Sequence, residues 1–457
     1  MVAHTEKNSY ILLALKMVHF VFSMLSFYIF FLLFRYGKLT GMSSYGFRYN
    51  YFATFLYGGF MLFFNRAYNI YLLGYTRIRT LVFGQILAQA FSTILVYLGV
   101  SIAWGYFRNP LIFAPLLFLQ LTFDCVWSYF GNYLFYKLHG KKRTLLIFRN
   151  NMDKKRFGSI KGKPTERMYK ITDELQYDGT FEELRDKLKG YDALFVTGVN
   201  SSCRNGILKY CKEENIPGFF LPHVGDTIMQ SAIHVQAFDS PVLYVNRKVV
   251  SPEYAFVKRA FDIVSSGAAL IILSPVFLIT ALAIKLYDHG PVLYKQTRLT
   301  KDGKEFQILK FRSMRVDAEK DGVARLSTGD NDDRITPVGN IIRRYRIDEL
   351  PQLWNIFIGD MSVVGPRPER PEIAQIYYEK MPDFQLRLQV KAGLTGYAQV
   401  YGKYNTGPYE KLEFDLLYIN SMNIFTDLEL CFATFAILFR KESTEGVNGV
   451  TADDDSE

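Results

Sequence analysis

Cysteine is scarce. The chain of 457 residues has four, Cys125, Cys203, Cys211 and Cys431, with no C-x-x-C pair and no histidine pair beside them. That gives no support to a zinc site or a disulfide framework, and a reducing, cytoplasmic setting is expected for the water-exposed parts. Histidine and tryptophan are also few, six and three. No histidine stands in an H-E-x-x-H or G-x-S-x-G setting, so zincin and Ser-His-Asp chemistry have no support. The first strand-like run, Thr144 to Phe148, is followed by Arg149-Asn150-Asn151-Met152-Asp153-Lys154, with no glycine before Gly158. A dinucleotide fingerprint is therefore missing. No Walker sequence occurs either, because Gly162 and Lys163 are followed by Pro164. Acidic residues are outnumbered, 44 against 54 Lys plus Arg, for a net charge of +10. Such a balance suits nucleic acid, an anionic lipid surface or phosphorylated substrates, and composition does not choose among them.

At roughly 150 residues per domain the length allows about three domains and excludes a single small binding module. Hydrophobic residues make up 49% and aromatics 16%, and the mean hydropathy of +0.03 averages unlike parts. Four stretches are long enough to cross a bilayer, which takes about 20 apolar residues. They run from Tyr10 to Phe34, Tyr51 to Leu73, Leu81 to Phe107 and Leu111 to Leu134. The first is too long for a signal-peptide core and has no small-residue cleavage site after it. Lys7, Arg66, Arg77, Arg79, Lys137, Lys141, Lys142 and Arg143 flank one side, and Arg35, Lys38, Arg48 and Arg108 the other. This bias expects the N-terminus and everything after the fourth span on the cytoplasmic side.

From Thr144 short apolar runs alternate with polar helical stretches. Thr144 to Phe148 and Ala193 to Thr197 read as buried strands, Phe181 to Leu188 and Asn205 to Glu214 as helices, and Gly218 to Leu221 as a further apolar run. The alternation predicts a small parallel α/β domain, Rossmann-like but without the glycine fingerprint, in a structural or regulatory role. A linker follows at Val249 to Glu253. The expected division is residues 1–140 for the spans, 141–250 for the α/β domain, 251–445 for a catalytic domain and 446–457 for a disordered acidic tail.

The apolar stretch from Ile263 to Leu286 is interrupted by Ser274 and Pro275. Proline removes one helical hydrogen bond and serine can satisfy the freed carbonyl, so a sharp bend is expected. Lys258 and Arg259 precede it, and Lys285, Lys295 and Arg298 follow it. Cations at both ends favour a re-entrant hairpin over a crossing helix. Further on, Leu293 to Arg298 and Phe306 to Arg312 read as extended segments ending in cations. Thr336-Pro337 opens a helix with Val338, Ile341, Ile342 and Tyr345 at apolar spacing and Arg343, Arg344 and Arg346 between them. That pattern suits a helix lying on an anionic membrane surface. Asp348 and Glu349 come next, between the arginine-rich helix and the start of another. Both influences favour ionised carboxylates, as a nucleophile or metal ligand requires. In Val364-Gly365-Pro366-Arg367-Pro368 the two prolines confine Arg367, a guanidinium suited to bidentate phosphate recognition.

Lys258-Arg259 with Asp262, Ser274-Pro275, Lys310-Phe311-Arg312-Ser313-Met314, Arg346-Ile347-Asp348-Glu349-Leu350-Pro351-Gln352 and Val364-Gly365-Pro366-Arg367-Pro368, in that order, resemble the bacterial sugar transferase family. These are the monotopic polyprenol-phosphate phosphoglycosyl transferases, and the likeness covers roughly residues 254 to 442. Four spans followed by an α/β domain are similar to its long-form members. The resemblance implies transfer of a sugar-1-phosphate from a UDP-sugar to undecaprenyl phosphate with release of UMP, as the first membrane step of exopolysaccharide, capsule or O-antigen synthesis. It implies a two-step covalent route with Mg²⁺. Carried onto this chain, Asp348 is the nucleophile, and Glu349 binds the metal with it or activates the lipid phosphate. Arg367 binds phosphate, and Lys310, Arg312 and Arg298 are further substrate-binding cations. The expected partners are the two substrates and the lipid bilayer, with room for a homodimer and no nucleic acid. The expected location is the bacterial inner membrane, with catalysis on its cytoplasmic face. Two other readings stand beside this one. A membrane-anchored NAD-dependent nucleotide-sugar dehydratase would use a Tyr-x-x-x-Lys pair such as Tyr133/Lys137, Tyr244/Lys248 or Tyr254/Lys258, and a basic membrane scaffold would use no chemistry at all.

Overall fold

In a computed structural model, residues 2–36, 48–105, 107, 109–157, 164–237, 240–247, 250–316, 334–402 and 407–438 are described. The acidic tail and Lys38, Arg108, Gly158, Gly162, Lys163 and Val249 lie outside them. The chain forms two compact units, Met1–Pro222 and His223–Glu457.

The first unit opens with α1 (Val2–Tyr36), α2 (Arg48–Ala67), α3 (Ile78–Trp104) and α4 (Ala114–His139). Three helical stretches are long and apolar enough to cross a membrane: Asn8–Leu33, Ile78–Ala103 and Pro110–His139. The expected second span is not among them. Its helix carries Arg48, Asn50, Asn65 and Arg66 within 20 residues and stops at Ala67, ahead of a turn in which Asn69 takes a φ of +51°. Helix α2 still packs between α1 and α3, and α4 between α3 and α1. Buried polar contacts tie them together: His19 Nε2 lies 3.1 Å from Asp124 Oδ1, to which Gln89 also donates, and Gln120 donates to Ser26 and Tyr57.

The chain continues through β1 (Lys142–Phe148), α5 (Asn151–Phe157), β2 (Tyr169–Gln176), α6 (Phe181–Arg185), β3 (Ala193–Thr197), α7 (Ser201–Glu213) and β4 (Gly218–Phe220). The strands make a parallel sheet in the order β2-β1-β3-β4. Strands β1 and β3 are buried on both faces, as their continuous apolar runs require. Leu145, Ile147, Leu194 and Val196 face α6 and α7, whereas Leu146, Phe148 and Phe195 share a core with Leu15, Leu81, Trp127 and Phe135 of the long helices. Helices and sheet thus form one packed unit.

The second unit starts before the expected linker. Val224 of α8 (Val224–Gln230) packs with Leu412 and Leu416, which assigns residues 223–250 to this unit. After the hairpin β5 (Ile233–Ala237) and β6 (Ser240–Tyr244) come α9 (Pro252–Ile272) and α10 (Ser274–Asp288), bent by 60° at their junction. Pro275 has no N–H for the Ile271 carbonyl, and Ser274 Oγ donates to that carbonyl at 2.8 Å. Then follow the antiparallel pair β7 (Leu293–Leu299) and β8 (Glu305–Phe311), α11 (Pro337–Arg344), α12 (Gln352–Ile358), β9 (Ser362–Val364), α13 (Pro371–Lys380), β10 (Gly393–Thr395), α14 (Tyr397–Tyr401), α15 (Pro408–Ser421) and α16 (Ile424–Leu438). Thr336 caps α11 by accepting from Gly339 N. The expected apolar stripe of α11 divides: Ile342 is buried with Ile284 and Phe311, while Ile341 and Tyr345 are exposed.

Candidate active site

The two adjacent carboxylates sit on a single turn of 3-10 helix, Ile347–Glu349, between α11 and α12. Arg346 enters that turn in the left-handed region, at a φ of +53°, and Glu349 there faces Lys310 of β8 and Arg367 in the loop after β9. Two devices hold the receiving surfaces. Asn355 of α12 accepts from Leu309 N and donates to the Gln307 carbonyl, pinning α12 against β8 next to Lys310. Gly365 and Gly393 cross so closely that a Cβ on Gly393 would lie 2.0 Å from Gly365 N, so the backbone leading into Pro366 and Arg367 accepts only glycine there.

Glu349 is the charge centre. Arg367 Nη2 donates to its Oε1 at 2.7 Å, Lys310 Nζ stands 3.6 Å from the same oxygen, and Arg346 Nη1 is 3.8 Å from Oε2. Burial pushes the Glu349 carboxyl up, but Arg367, Lys310 and Arg346 together hold it well below the usual range. Glu349 in turn raises the Arg367 guanidinium, although that side chain is 42% exposed and its pair is partly screened. Lys310 is lowered by burial, against the pull of Glu349.

Asp348 is different. Among the described residues its half-buried carboxylate makes no hydrogen bond or ion pair. Burial raises its pKa, the charge of Glu349 raises it further, and Lys310, Arg343 and Arg367 only partly offset both. The expectation that both carboxylates are favoured in the ionised form is therefore corrected. Adjacent acids compete for the same cations, and Glu349, which contacts them directly, takes most of the benefit.

The remaining expected cations are spent elsewhere. Arg312 is 7% exposed, pairs with both oxygens of Asp288 and donates from Nε to the Pro291 carbonyl. Arg298 donates to Gln296 Oε1 through Nε and Nη2 and to the Pro368 carbonyl through Nη1. Burial lowers its pKa to about 10 against the attraction of Glu369. Ser274 and Pro275 mark the bend between α9 and α10. Lys258, Arg259 and Asp262 had no assigned chemistry, and their contacts are architectural. Arg259 donates to the Ile356 and Phe357 carbonyls at the end of α12, and Asp262 Oδ1 accepts from Ser362 Oγ and Val363 N of β9. Lys258 pairs with Asp427 and donates to the Tyr418 hydroxyl, which itself donates to the Val364 carbonyl.

Sequence reasoning missed Asn355, Glu369, Arg387 and Asp415. A signal existed for some of them: Asn355 interrupts the apolar face of α12, and Arg387 lies among Phe384, Leu386, Leu388 and Val390, where a charge needs a buried partner. Those partners are Asp415 at 2.8 Å and Glu369 at 3.6 Å. Glu369 also faces Lys411 and Arg298. Burial pushes its pKa up, yet these cations keep it below the usual value. Burial raises Asp415 to about 6.

Residues 253–441 match the family described as bacterial sugar transferase. Among similar proteins, UDP-glucose:undecaprenyl-phosphate glucose-1-phosphate transferase of Escherichia coli (strain K12) is 42% identical over 205 residues, which is 44% of this chain and 42% of that protein. UDP-N-acetylgalactosamine-undecaprenyl-phosphate N-acetylgalactosaminephosphotransferase of Aeromonas hydrophila is 40% identical over 187 residues, 40% of this chain and 44% of its own. The chain thus spans under half the length of these two relatives. An exopolysaccharide production protein of Rhizobium leguminosarum bv. phaseoli is 44% identical over 188 residues, 39% of this chain but 92% of that one. A match that begins at the bent helix pair, runs through the whole of α16 and takes in the paired carboxylates and Arg367 places this chain in the bacterial sugar transferase family.

Proposed function

We propose that the protein transfers a sugar-1-phosphate from a UDP-sugar to undecaprenyl phosphate, with Asp348 as a covalent nucleophile. The observation that carries this reading is the unequal pair. Glu349 faces three cations, while Asp348 beside it has a carboxylate that bonds to none of the described residues, in a site of positive charge. An Asp348 oxygen attacks the β-phosphorus of the donor, the bond from that phosphorus to the bridging oxygen breaks, and UMP leaves with the electron pair. A phosphate oxygen of the lipid then attacks the same phosphorus and frees the Asp348 carboxylate, leaving the sugar on a lipid diphosphate. Arg367 and Lys310 oppose the charge that builds on the non-bridging oxygens. Glu349 holds those cations in place between turnovers.

Among the described residues no group of three His, Cys, Asp or Glu is arranged to hold a metal ion. Mg²⁺ is usually bound through one or two carboxylates with phosphate and water completing the shell. Asp348 is the carboxylate that would be open to such an ion, whereas both oxygens of Glu349 already face Arg367, Lys310 and Arg346, so Glu349 would join it only by giving up one of those contacts. When bound, Mg²⁺ would neutralise part of the donor's charge.

The bend at Ser274 supports a re-entrant hairpin, with both ends of the α9–α10 pair on the cytoplasmic face of the inner membrane. Exposed Ile271, Ile272, Leu278, Ile279 and Leu282 around the bend supply its lipid-facing surface. Helix α2 completes a four-helix membrane bundle with the three longer helices.

The test is UMP release by purified protein with undecaprenyl phosphate and UDP-glucose, UDP-galactose or UDP-N-acetylgalactosamine in turn, with and without EDTA. One or two donors should dominate, chelator should stop turnover and Mg²⁺ should restore it. No release with any UDP-sugar would overturn the reading, and full activity in chelator would overturn the metal.

A further inference from the structure

Four consecutive carbonyls around Arg367 are each gripped from a different direction. Gly393 N donates to Pro366 O at 2.9 Å, Arg387 Nη2 to Arg367 O at 2.6 Å, Arg298 Nη1 to Pro368 O at 3.0 Å and Leu299 N to Glu369 O at 3.0 Å. Two of these donors are backbone groups at the ends of strands. The other two are guanidiniums, and Arg387 is the one that holds Arg367 itself. It is 3% exposed, stacks over Phe384 with 4.7 Å to the ring centroid, and is neutralised within the protein by Asp415 and Glu369. A cation so enclosed and so fully countered has no charge left over for a substrate. What it does hold is the peptide from which Arg367 projects. Any tilt of that peptide is carried along the side chain to the guanidinium at Glu349, and a misplacement of about 1 Å in such a group costs on the order of 10²-fold in rate.

We propose that Arg387 is a positioning residue: by binding the Arg367 carbonyl and locking the Pro366–Glu369 backbone, it fixes where the phosphate-binding guanidinium stands. This rests on the reading of Arg367 as a phosphate ligand. The network around Arg387 supplies the stiffness, since Asp415 on α15 and Glu369 in the loop both orient the guanidinium plane.

The test uses the full chain in lipid nanodiscs. Hydrogen exchange is measured at Gly393 and Leu299, whose N–H groups hold the two ends of the clamped segment. Arg387→Met should speed exchange at both by about tenfold or more, while Leu309, held by Asn355, keeps its wild-type rate. Unchanged exchange at Gly393 and Leu299 would overturn the proposal whatever the enzyme does. In the kinetic arm Arg387→Met should lower kcat by on the order of 10²-fold, and Arg387→Lys, which can still reach the carbonyl, should recover part of the loss. In an Arg367→Lys background the further substitution Arg387→Met should change kcat less than about twofold, because the guanidinium it positions is gone. A full, multiplicative loss in that background would show that Arg387 acts independently of Arg367 and would sink the proposal. Faster exchange in a protein that releases no UMP from any donor would leave the clamp standing and remove the functional reading instead.

Discussion

Asp348 and Glu349 are neighbours in sequence with opposite surroundings, and the difference follows from a few ångströms of cation placement. Glu349 touches Arg367, Lys310 and Arg346, whereas Asp348 feels cations only through space. A carboxyl raised in this way is ionised only above its raised value, so nucleophilic activity should be lost as pH falls through a point above the roughly 3.9 of an ordinary aspartate. The acid limb of the pH–rate profile should therefore lie above that value. It should move down in the residual activity of Glu349→Gln, which removes the neighbouring charge; an unmoved limb would show that another group titrates. Asp348→Asn keeps the shape and removes the nucleophile, so turnover should fall by on the order of 10⁴-fold or more. Without lipid acceptor the wild type should form a sugar-phosphate adduct and exchange UMP back into UDP-sugar. A preparation that turns over with acceptor yet shows neither adduct nor exchange rules out the covalent route.

The α9–α10 pair shows how one dipeptide shapes a larger element. The uninterrupted stretch from Ile263 to Leu286 would be about 36 Å of helix at roughly 1.5 Å per residue, enough to cross a bilayer, so length alone does not decide its course. The 60° bend does bear on it, because Pro275 removes the donor to Ile271 and Ser274 satisfies the carbonyl from the side. Arg312 then fastens the far end by gripping Asp288. Single cysteines replacing Val257 and Tyr287 in a background free of Cys125, Cys203, Cys211 and Cys431 probe the two ends without disturbing that grip. Both should react with an impermeant reagent only from the cytoplasmic side. Labelling at position 287 from outside intact cells would mean that the pair crosses the membrane.

The molecule as a whole divides at Pro222/His223, ahead of the polar linker that the sequence suggests. The second unit owes part of its core to α8: Val224 and Ile228 pack against α15, and Asn420 donates to the Thr227 carbonyl. A chain starting at His223 should therefore be active with a melting temperature close to that of the full protein's second unit. One starting at Pro252 should melt lower by several degrees, since burial of Val224 is worth roughly 1.5–3 kcal/mol and the partly buried Ile228 adds less. The family match, residues 253–441, lies wholly within this half, consistent with such independence. Equal melting of the two truncated chains, measured by scanning calorimetry, would show that α8 contributes nothing.

Much was legible in one dimension because it depends on local chemistry. Long apolar runs marked the three helices long enough to cross a membrane, short continuous apolar runs marked β1 and β3, and Ser274-Pro275 and Thr336-Pro337 marked a bend and a helix start, since each acts on backbone within a turn of itself. Asp348, Glu349 and Arg367 stood out through the family motifs they belong to, not through local chemistry alone. What could not be read is which cation meets which carboxylate. Lys310 in β8 and Arg312 just beyond its end stand two residues apart, yet one reaches Glu349 and the other Asp288. Arg387 and Asn355 looked like residues of an apolar run until β8 and the Arg367 loop were brought against them. Coulombic and hydrogen-bond energies fall off within a few ångströms, so the partner set, and with it the opposite pull on the two carboxyls, exists only once segments as far apart as residues 298, 349, 367 and 387 have packed together.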